Sequence, residues 1–127
     1  MPSSDRPKKA GLSRRAKGAV YEQLAAEFLI RLGFEILDQS WQAGHREIDL
    51  IAQKENLVVF VEVKSASTQA FGHPIERVNK TKIRRLCSAA QQYLLAKNIE
   101  GVDLRFDVVT FIGGKLEHFP SAFEYEE

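Results

Sequence analysis

The sequence predicts an α/β domain built on one mixed β-sheet. Three features carry this prediction: a helical segment near the start, three strand-like segments after it, and a second helix followed by another strand. Strands joined by short turns pair antiparallel, whereas a long helix lets the chain cross the sheet and lay its next strand parallel to an earlier one. The order of elements therefore indicates a sheet with both kinds of pairing.

The first helix is predicted over residues 13–32. Ala25, Leu29 and Leu32 recur at helical spacing and form one apolar face. Gly33 follows directly and can adopt the left-handed conformation that ends many helices.

Later segments alternate between strand-like and helical patterns. We predict strands over 34–41, 47–53, 57–64 and 104–112, a second helix over 79–97, and a short edge strand over 116–119. A two-residue turn at Glu55-Asn56 would set Asp49 opposite Glu62 and Glu47 opposite Lys64. A three-residue loop would instead move Asp49 to the other face from Glu62.

Strict alternation along the 47–53 strand divides its side chains between the two faces of the sheet. It predicts Ile48, Leu50 and Ala52 on one face, with Glu47 and Asp49 on the other.

Length and composition indicate a single domain. The chain has 127 residues, of which 44% are apolar, enough to bury one core. Residues 1–12 are polar and basic and are predicted to be disordered, residues 13–123 to form the domain, and residues 124–127 to be an acidic tail.

Cysteine usage and hydropathy bear on the compartment. The lone Cys87 excludes an internal disulfide and leaves no cysteine cluster for structural zinc. No apolar run approaches the roughly 20 residues of a membrane span, and the N-terminus lacks the apolar stretch of a signal peptide. We therefore expect a cytoplasmic protein with no membrane association.

Charged residues stand where a buried strand ends. Glu62 and Lys64 fall on one side of the apolar 57–64 strand, and the predicted register adds Asp49. Opposed Cβ atoms lie roughly 4.5 to 5.5 Å apart, where like charges destabilise a sheet. A divalent cation removes this repulsion, and Mg²⁺ or Mn²⁺ prefers such oxygen ligands, including a nearby backbone carbonyl, that of Val63. Either acid alone would more simply be exposed, but the three residues together favour a metal site.

Glu22 lies on the same helical stripe as Ala25 and Leu29, which points it inward. The presence of Glu22 is explained equally well by the helix dipole, which favours an acid near the start of a helix.

Basic residues cluster around the start of the second helix, although the formal net charge is only +1. The cluster consists of Arg77, Lys80, Lys82, Arg84 and Arg85. Such residues suit contacts with nucleic-acid phosphates, and a solvated helix face is the alternative. The histidines His45, His73 and His118 lack metal-ligand spacing and are assigned ordinary surface roles.

Two runs carry a family resemblance. Glu47-Ile48-Asp49-Leu50-Ile51-Ala52 and Phe60-Val61-Glu62-Val63-Lys64 resemble the core of the PD-(D/E)xK nuclease superfamily, specifically the YraN-like family of uncharacterised bacterial proteins. Further similarity extends from Gly18 to Phe123, including Arg105-Phe106-Asp107-Val108-Val109.

The resemblance implies a restriction-endonuclease-like fold with three layers, a central mixed sheet flanked by helices, similar to archaeal Holliday-junction resolvases. It implies Asp49 and Glu62 as metal ligands, Lys64 as the active-site lysine and Glu22 as the helical glutamate of the catalytic set.

Two positions depart from the family pattern. Arg46 stands where the family often has glycine, and Ala66 stands where an arginine often follows. Both positions lie beside the expected substrate path, so they bear on DNA contacts, with Arg46 a candidate contact, more than on metal binding.

The function expected from these features is that of an endonuclease dependent on Mg²⁺ or Mn²⁺ and acting on DNA, including branched repair intermediates. A homodimer is expected, because two related sites suit the two strands of a branched substrate. The alternatives are a nucleic-acid-binding module that does not cut and an adaptor that recruits a protein partner.

Overall fold

A computed structural model describes residues 14–70, 72–73 and 79–123. The predicted disordered segment 1–12, the acidic tail 124–127 and Arg77 lie outside the described residues. The elements are helices α1 (Arg14–Arg31) and α2 (Lys80–Ala96) and strands β1 (Glu35–Ala43), β2 (Arg46–Lys54), β3 (Leu57–Ala66), β4 (Asp103–Ile112) and β5 (Lys115–Phe123).

The five strands form one sheet in the order β1-β2-β3-β4-β5. Strands β3 and β4 are parallel, and the other neighbours are antiparallel. Helix α2 supplies the crossover between the parallel strands. The predicted α/β class with a mixed sheet is confirmed, and the arrangement is that of a restriction-endonuclease-like fold.

The two helices cover opposite faces of the sheet and give three layers. On one face, Ala25 and Leu29 of α1 pack among Leu50, Val59 and Val109. Leu32, predicted for this apolar face, is instead 42% exposed.

Helix α2 covers the other face. Its Leu86, Ala90 and Tyr93 pack against the sheet residues Ile51 and Phe60. None of the described helices combines the length and the apolar character needed to cross a membrane.

Strands β2 and β3 meet in the predicted register. Glu55 has a φ of +54° in the turn, and the pairing runs from Lys54↔Leu57 to Leu50↔Val61. The two-residue turn is therefore confirmed. The regular ladder ends at Leu50 and Val61, one pair before Asp49 and Glu62 would face each other.

The predicted alternation along β2 was wrong at Ile48. Leu50 packs in the core beneath α1, but Ile48 packs with Ile51 in the core beneath α2. On the neighbouring β1 strand, Ser40 has a φ of +52° and lies between the pairs Gln39↔Leu50 and Trp41↔Ile48. A left-handed residue bends a strand and interrupts its alternation, so the break falls opposite Asp49.

The edge strand β5 is longer than the predicted 116–119, because it continues past Pro120, which an edge strand tolerates. Its pairing with β4 shifts register at Asp107. This carboxylate is fully buried and accepts hydrogen bonds from Arg105 Nε at 2.8 Å and the Ser121 amide at 3.0 Å. His118 Nε2 lies 2.7 Å from the same carboxylate, so the surface role assigned to His118 was wrong.

Thr110, on β4 beside Lys64, is fully buried, and its hydroxyl has no hydrogen-bond partner among the described residues. Valine has nearly the same shape, so Thr110→Val removes a buried polar group without opening a cavity. We expect the free energy of unfolding, measured by urea denaturation, to rise by about 1 kcal/mol. The matched change Val108→Thr, at a fully buried position of the same strand, should lower it. A less stable Thr110→Val protein would contradict the unpaired hydroxyl.

Candidate metal and nucleic-acid site

A crevice opens where β2 and β3 stop pairing. The amide of Val63 donates a hydrogen bond of 2.8 Å to Asp49 Oδ2, so at this residue a side-chain carboxylate of β2 replaces the backbone carbonyl that would accept in a regular ladder. The crevice has a volume of about 300 Å³. Its polar lining comes from His45, Arg46, Glu47, Asp49, Glu62 and Lys82.

Three acids converge at this point. Glu22 of α1 and Glu47 and Asp49 of β2 place carboxylate oxygens within 4.8 Å of one another. The Ser40 hydroxyl donates to Glu22 Oε1 at 2.9 Å, and the Gln42 amide donates to Glu47 Oε2 at 3.2 Å. We call Glu22, Glu47 and Asp49 the acidic cluster. Glu47 was not among the predicted ligands, although its spacing of two from Asp49 along a strand was visible in the sequence.

Glu62 is held by two lysines. Its side chain is only 10% exposed, and Oε2 lies 3.1 Å from Lys64 Nζ and 2.6 Å from Lys82 Nζ. The structure therefore divides the predicted ligand pair: Asp49 lies within the acidic cluster, while Glu62 is neutralised by ammonium groups.

Lys82 lies inside the crevice, whereas the sequence had grouped it with residues that contact backbone phosphates. It is half-buried, and Lys80, Arg84 and Arg85 are exposed. The helical spacing could have predicted the position of Lys82. Residues four apart lie on the same face of a helix, and Leu86, four residues after Lys82, is on the buried face of α2.

Lys82 also occupies the first turn of α2, where Asn79 Oδ1 accepts a hydrogen bond from its backbone amide at 2.9 Å. The positive end of the helix dipole disfavours a cation at that position. The ion pair with Glu62 offsets this cost, so Lys82 and Glu62 depend on each other.

Burial and like charge raise the pKa values of two acids of the cluster, Asp49 and Glu22. Burial raises the pKa of Asp49 to about 8, and the charge of Glu62 adds to the effect, against the hydrogen bond from Val63. Burial also raises the pKa of Glu22, together with the charges of Glu47 and Glu62 and against its bond to Ser40. The acidic cluster thus carries an electrostatic cost that a cation would remove.

The two lysines shift in opposite directions. Burial and the adjacent Lys82 ammonium lower the pKa of Lys64, against the opposing effect of Glu62. Burial is the largest single influence on Lys82 and acts to lower its pKa, but the hydrogen bonds with Glu62 and Lys64 and the negative charges of Glu62 and Asp49 together outweigh it, and the pKa is raised. Lys82 therefore keeps its proton more strongly than an ordinary lysine, and Lys64 releases its proton more readily.

The remaining predicted residues are placed as follows. Arg46 lines the crevice. Val63 contacts Asp49 through its N–H, and the role of its carbonyl as a metal ligand stays a prediction. His73, assigned to the surface, lies 2.8 Å from Glu117 with a side chain only 17% exposed.

Residues 21–111 match the Uncharacterised protein family UPF0102. The chain belongs to this family. A UPF0102 protein of Sulfurihydrogenibium sp. is 36% identical over 115 residues, which cover 91% of this chain and 100% of the relative. One from Myxococcus xanthus is 36% identical over 119 residues, covering 91% and 94%. One from Chloroherpeton thalassium is 43% identical over 97 residues, covering 76% and 75%.

The YraN-like family named from the sequence is thus confirmed, and the matched residues include the whole lining of the crevice. The family and protein names of UPF0102 state no activity. The function of the chain is therefore inferred from the chemistry of its crevice.

The raised pKa of Asp49 predicts a pH-dependent stability for the metal-free protein. Its ordinary value is 3.8, against about 8 in the folded chain, so between these values the folded state retains a proton that the unfolded state has lost. Stability associated with this group is therefore present below pH 4 and is lost as the pH rises towards 8. Asp49→Asn, which keeps an acceptor for the Val63 amide, should abolish this loss and melt above wild type at pH 8.

The measurement is thermal unfolding in EDTA at pH 4.5 and pH 8. The matched control is Glu100→Gln, at an exposed acid, which should change the melting temperature little at either pH. An Asp49→Asn protein that melts below wild type at pH 8 would show that the carboxylate stabilises the fold.

Proposed function

We propose that this UPF0102 protein is a metal-dependent nuclease that hydrolyses phosphodiester bonds of DNA. One observation carries the proposal: Glu47 and Asp49 of the acidic cluster and the lysine-paired Glu62 line a single open crevice. A purely structural ion-pair network has no need of three further carboxylates at its edge. A metal-dependent phosphodiester hydrolase uses cation ligands and fixed positive charge side by side.

The donor set fits Mg²⁺ or Mn²⁺. Glu22, Glu47 and Asp49 offer hard carboxylate oxygens within 4.8 Å of one another, as these ions prefer. Burial, followed by the charge of Glu62, raises the pKa of Asp49, and a cation bound there would favour its ionised form. Asp49 belongs both to this cluster and to the ligand set expected from the sequence, so it is the ligand on which binding depends most.

A divalent cation held there would supply a positive charge that lowers the pKa of water and stabilises a phosphorane-like transition state. The protein's own groups supply the rest. Glu62 orients the ammonium groups of Lys64 and Lys82. Lys82 keeps its charge and neutralises phosphate oxygens, while Lys64, whose pKa is lowered, is suited to donate a proton to the leaving oxygen.

Helix α2 provides a route for the DNA backbone. Lys80, Arg84 and Arg85 are exposed on its first two turns, beside the crevice that Lys82 enters. Exposed cations of this kind contact phosphates without reading sequence. The proposal therefore places DNA structure, including branches, above base sequence as the determinant of cutting.

The expected homodimer stays a prediction of the proposal, because one domain carries one crevice and a branched substrate presents two strands. Light scattering with and without DNA measures the mass directly, and a monomer under both conditions would remove this part of the proposal. A cytoplasmic location belongs to the proposal as well, since a chromosomal DNA substrate is found there.

The decisive experiment incubates the purified protein with Mn²⁺ or Mg²⁺ and a panel of branched, flapped, single-stranded and duplex DNA. Cleavage of at least one substrate that stops on addition of EDTA is the expected result. Binding without cleavage of any member would favour a nucleic-acid-binding module instead. Retention of proteins alone after nuclease treatment would favour an adaptor.

Substitution of the acids should separate cutting from binding. Asp49→Asn and Glu62→Gln keep shape but remove a carboxylate charge, so metal-dependent cleavage should fall by at least about 100-fold while DNA affinity is unchanged or higher. Glu100→Gln, away from the crevice, is the control and should cut like wild type. Full activity of Glu62→Gln would locate the cleavage elsewhere.

The basic residues of α2 should divide into two groups. Lys82→Ala removes a charge from within the crevice, so it should reduce the cleavage rate of bound DNA strongly, measured in single turnovers at saturating protein. Arg84→Ala with Arg85→Ala should weaken binding and reduce its salt dependence by about 0.9 log unit for each lost contact with duplex phosphate. They should leave the saturated rate nearly unchanged. Equal behaviour of both groups would contradict the assignment of Lys82 to the crevice.

A further inference from the structure

A second groove, also of about 300 Å³, lies at the carboxyl end of β3, beyond Lys64. Its lining includes Lys17 and Tyr21 of α1, Ser65 and Ser67 near the end of β3, and the turn Gly113-Gly114 between β4 and β5. We call it the glycine-turn groove. Nothing in the proposed chemistry of the crevice uses these residues.

The glycine-turn groove lies at the carboxyl ends of the parallel strands. Ala66 pairs with Ile112 at the last position of the β3–β4 ladder, and the Gly113 amide donates to the Ala66 carbonyl at 3.0 Å. In open α/β sheets, ligands commonly bind just outside the carboxyl ends of the strands. Of the described strands, only β3 and β4 form a parallel pair.

Residues of the glycine-turn groove are sequence neighbours of charged residues of the candidate site on two elements. On α1, Tyr21 lines the groove and Glu22 belongs to the acidic cluster. On β3, Ser65 lines the groove and Lys64 pairs with Glu62. A chain lying across the ends of these elements would therefore meet both sites in succession.

The two sites differ in charge. The crevice contains several carboxylates, whereas the lining of the glycine-turn groove has the ammonium of Lys17 and three hydroxyl groups and no acid among the described residues. The Tyr21 ring packs on Phe111 with centroids 4.7 Å apart, which fixes the ring in place. An ammonium with neighbouring hydroxyl donors suits an anion with several acceptor oxygens, such as a phosphate.

We propose that the glycine-turn groove binds a backbone phosphate of the nucleic-acid strand whose neighbouring segment occupies the crevice. This inference rests on the proposed function and adds a binding position to it. A volume of about 300 Å³ accommodates a small-molecule-sized unit, so the attached sugar fits with its phosphate. The groove would hold the strand in place while the crevice performs the chemistry.

The test measures binding without metal, so that no cleavage is required. A fluorescein-labelled single-stranded DNA of ten nucleotides is titrated in EDTA by fluorescence anisotropy. Lys17→Ala should weaken binding by roughly three- to tenfold and reduce the salt slope by about 0.7 log unit, as for one lost contact to a single strand. Ser67→Asp adds a negative charge to the groove at an exposed position that folding tolerates. Because this charge repels phosphate, the variant should bind DNA more weakly than Lys17→Ala does.

Lys97→Ala is the matched control. Lys97 follows the last turn of α2 and is 46% exposed, with its Nζ 3.8 Å from Asp38 Oδ2. It does not line the groove, so Lys97→Ala removes one positive charge, as Lys17→Ala does, but at another place. Melting curves confirm that each variant is folded. Lys17→Ala and Ser67→Asp proteins that bind the DNA as the control does would overturn the inference.

Two further probes identify the ligand. Inorganic phosphate alone should shift the amide resonances of Ser67 and Gly114 in wild type but not in Lys17→Ala. A DNA in which neutral methylphosphonate linkages replace the phosphates should lose the difference between wild type and Lys17→Ala. Response to free phosphate with an unchanged DNA affinity in Lys17→Ala would show a site for a small anion, against the inference.

The outcomes separate this inference from the nuclease proposal. Weaker DNA binding by Lys17→Ala, with no cleavage by wild type in any metal, leaves the groove assignment intact and removes the nuclease. Cleavage by wild type with unchanged binding by Lys17→Ala removes the groove assignment alone.

Discussion

Beyond Leu50 and Val61 the two central antiparallel strands separate, and the Val63 amide donates to the Asp49 carboxylate instead of a strand carbonyl. A backbone amide withdrawn from water requires an acceptor, so β3 stays joined to β2 at Val63 although the regular ladder between them has ended. The Asp49 side chain then lies between the two strands and separates them. That gap is the crevice, and the acids, the lysines and the first turn of α2 are arranged around it.

The charges around the gap are unequally compensated. Glu62 is paired with two ammonium groups, whereas Asp49 meets two further carboxylates. Burying like charges lowers stability, and natural proteins retain such arrangements where activity depends on them. The fully paired Asp107, on the same sheet, shows the contrast: its partners satisfy it from several sides, and it fastens β5 to β4. Asp107 therefore joins two strands at no such cost, whereas Asp49 anchors β3 through Val63 and carries an electrostatic cost when it is ionised.

The sequence predicted the mixed sheet and the β2–β3 register, because apolar alternation and a two-residue turn determine them locally. It did not reveal the break in alternation at Ile48. Ser40 adopts a left-handed backbone conformation, and serine is not a residue type from which that conformation is predicted. The sequence grouped Lys82 with the exposed basic residues of α2, but its helical spacing from the buried Leu86 was the signal for its place in the crevice, and its contact with phosphate stays a prediction. His118 was misjudged because its partner, Asp107, lies on another strand, and cross-strand contacts depend on a bulge that composition does not specify.

The hairpin of β2 and β3 joins Asp49 and Glu62 through a short loop, but β4 reaches β3 only after the chain has passed through α2. Local contacts form before distant ones, because closing a long loop costs more entropy. The two acids therefore approach each other while still hydrated, and their repulsion grows only when both helices exclude water. If that exclusion of water follows the folding barrier, raising the pH accelerates unfolding and leaves the folding rate nearly constant. Chevron plots at two pH values measure both rates.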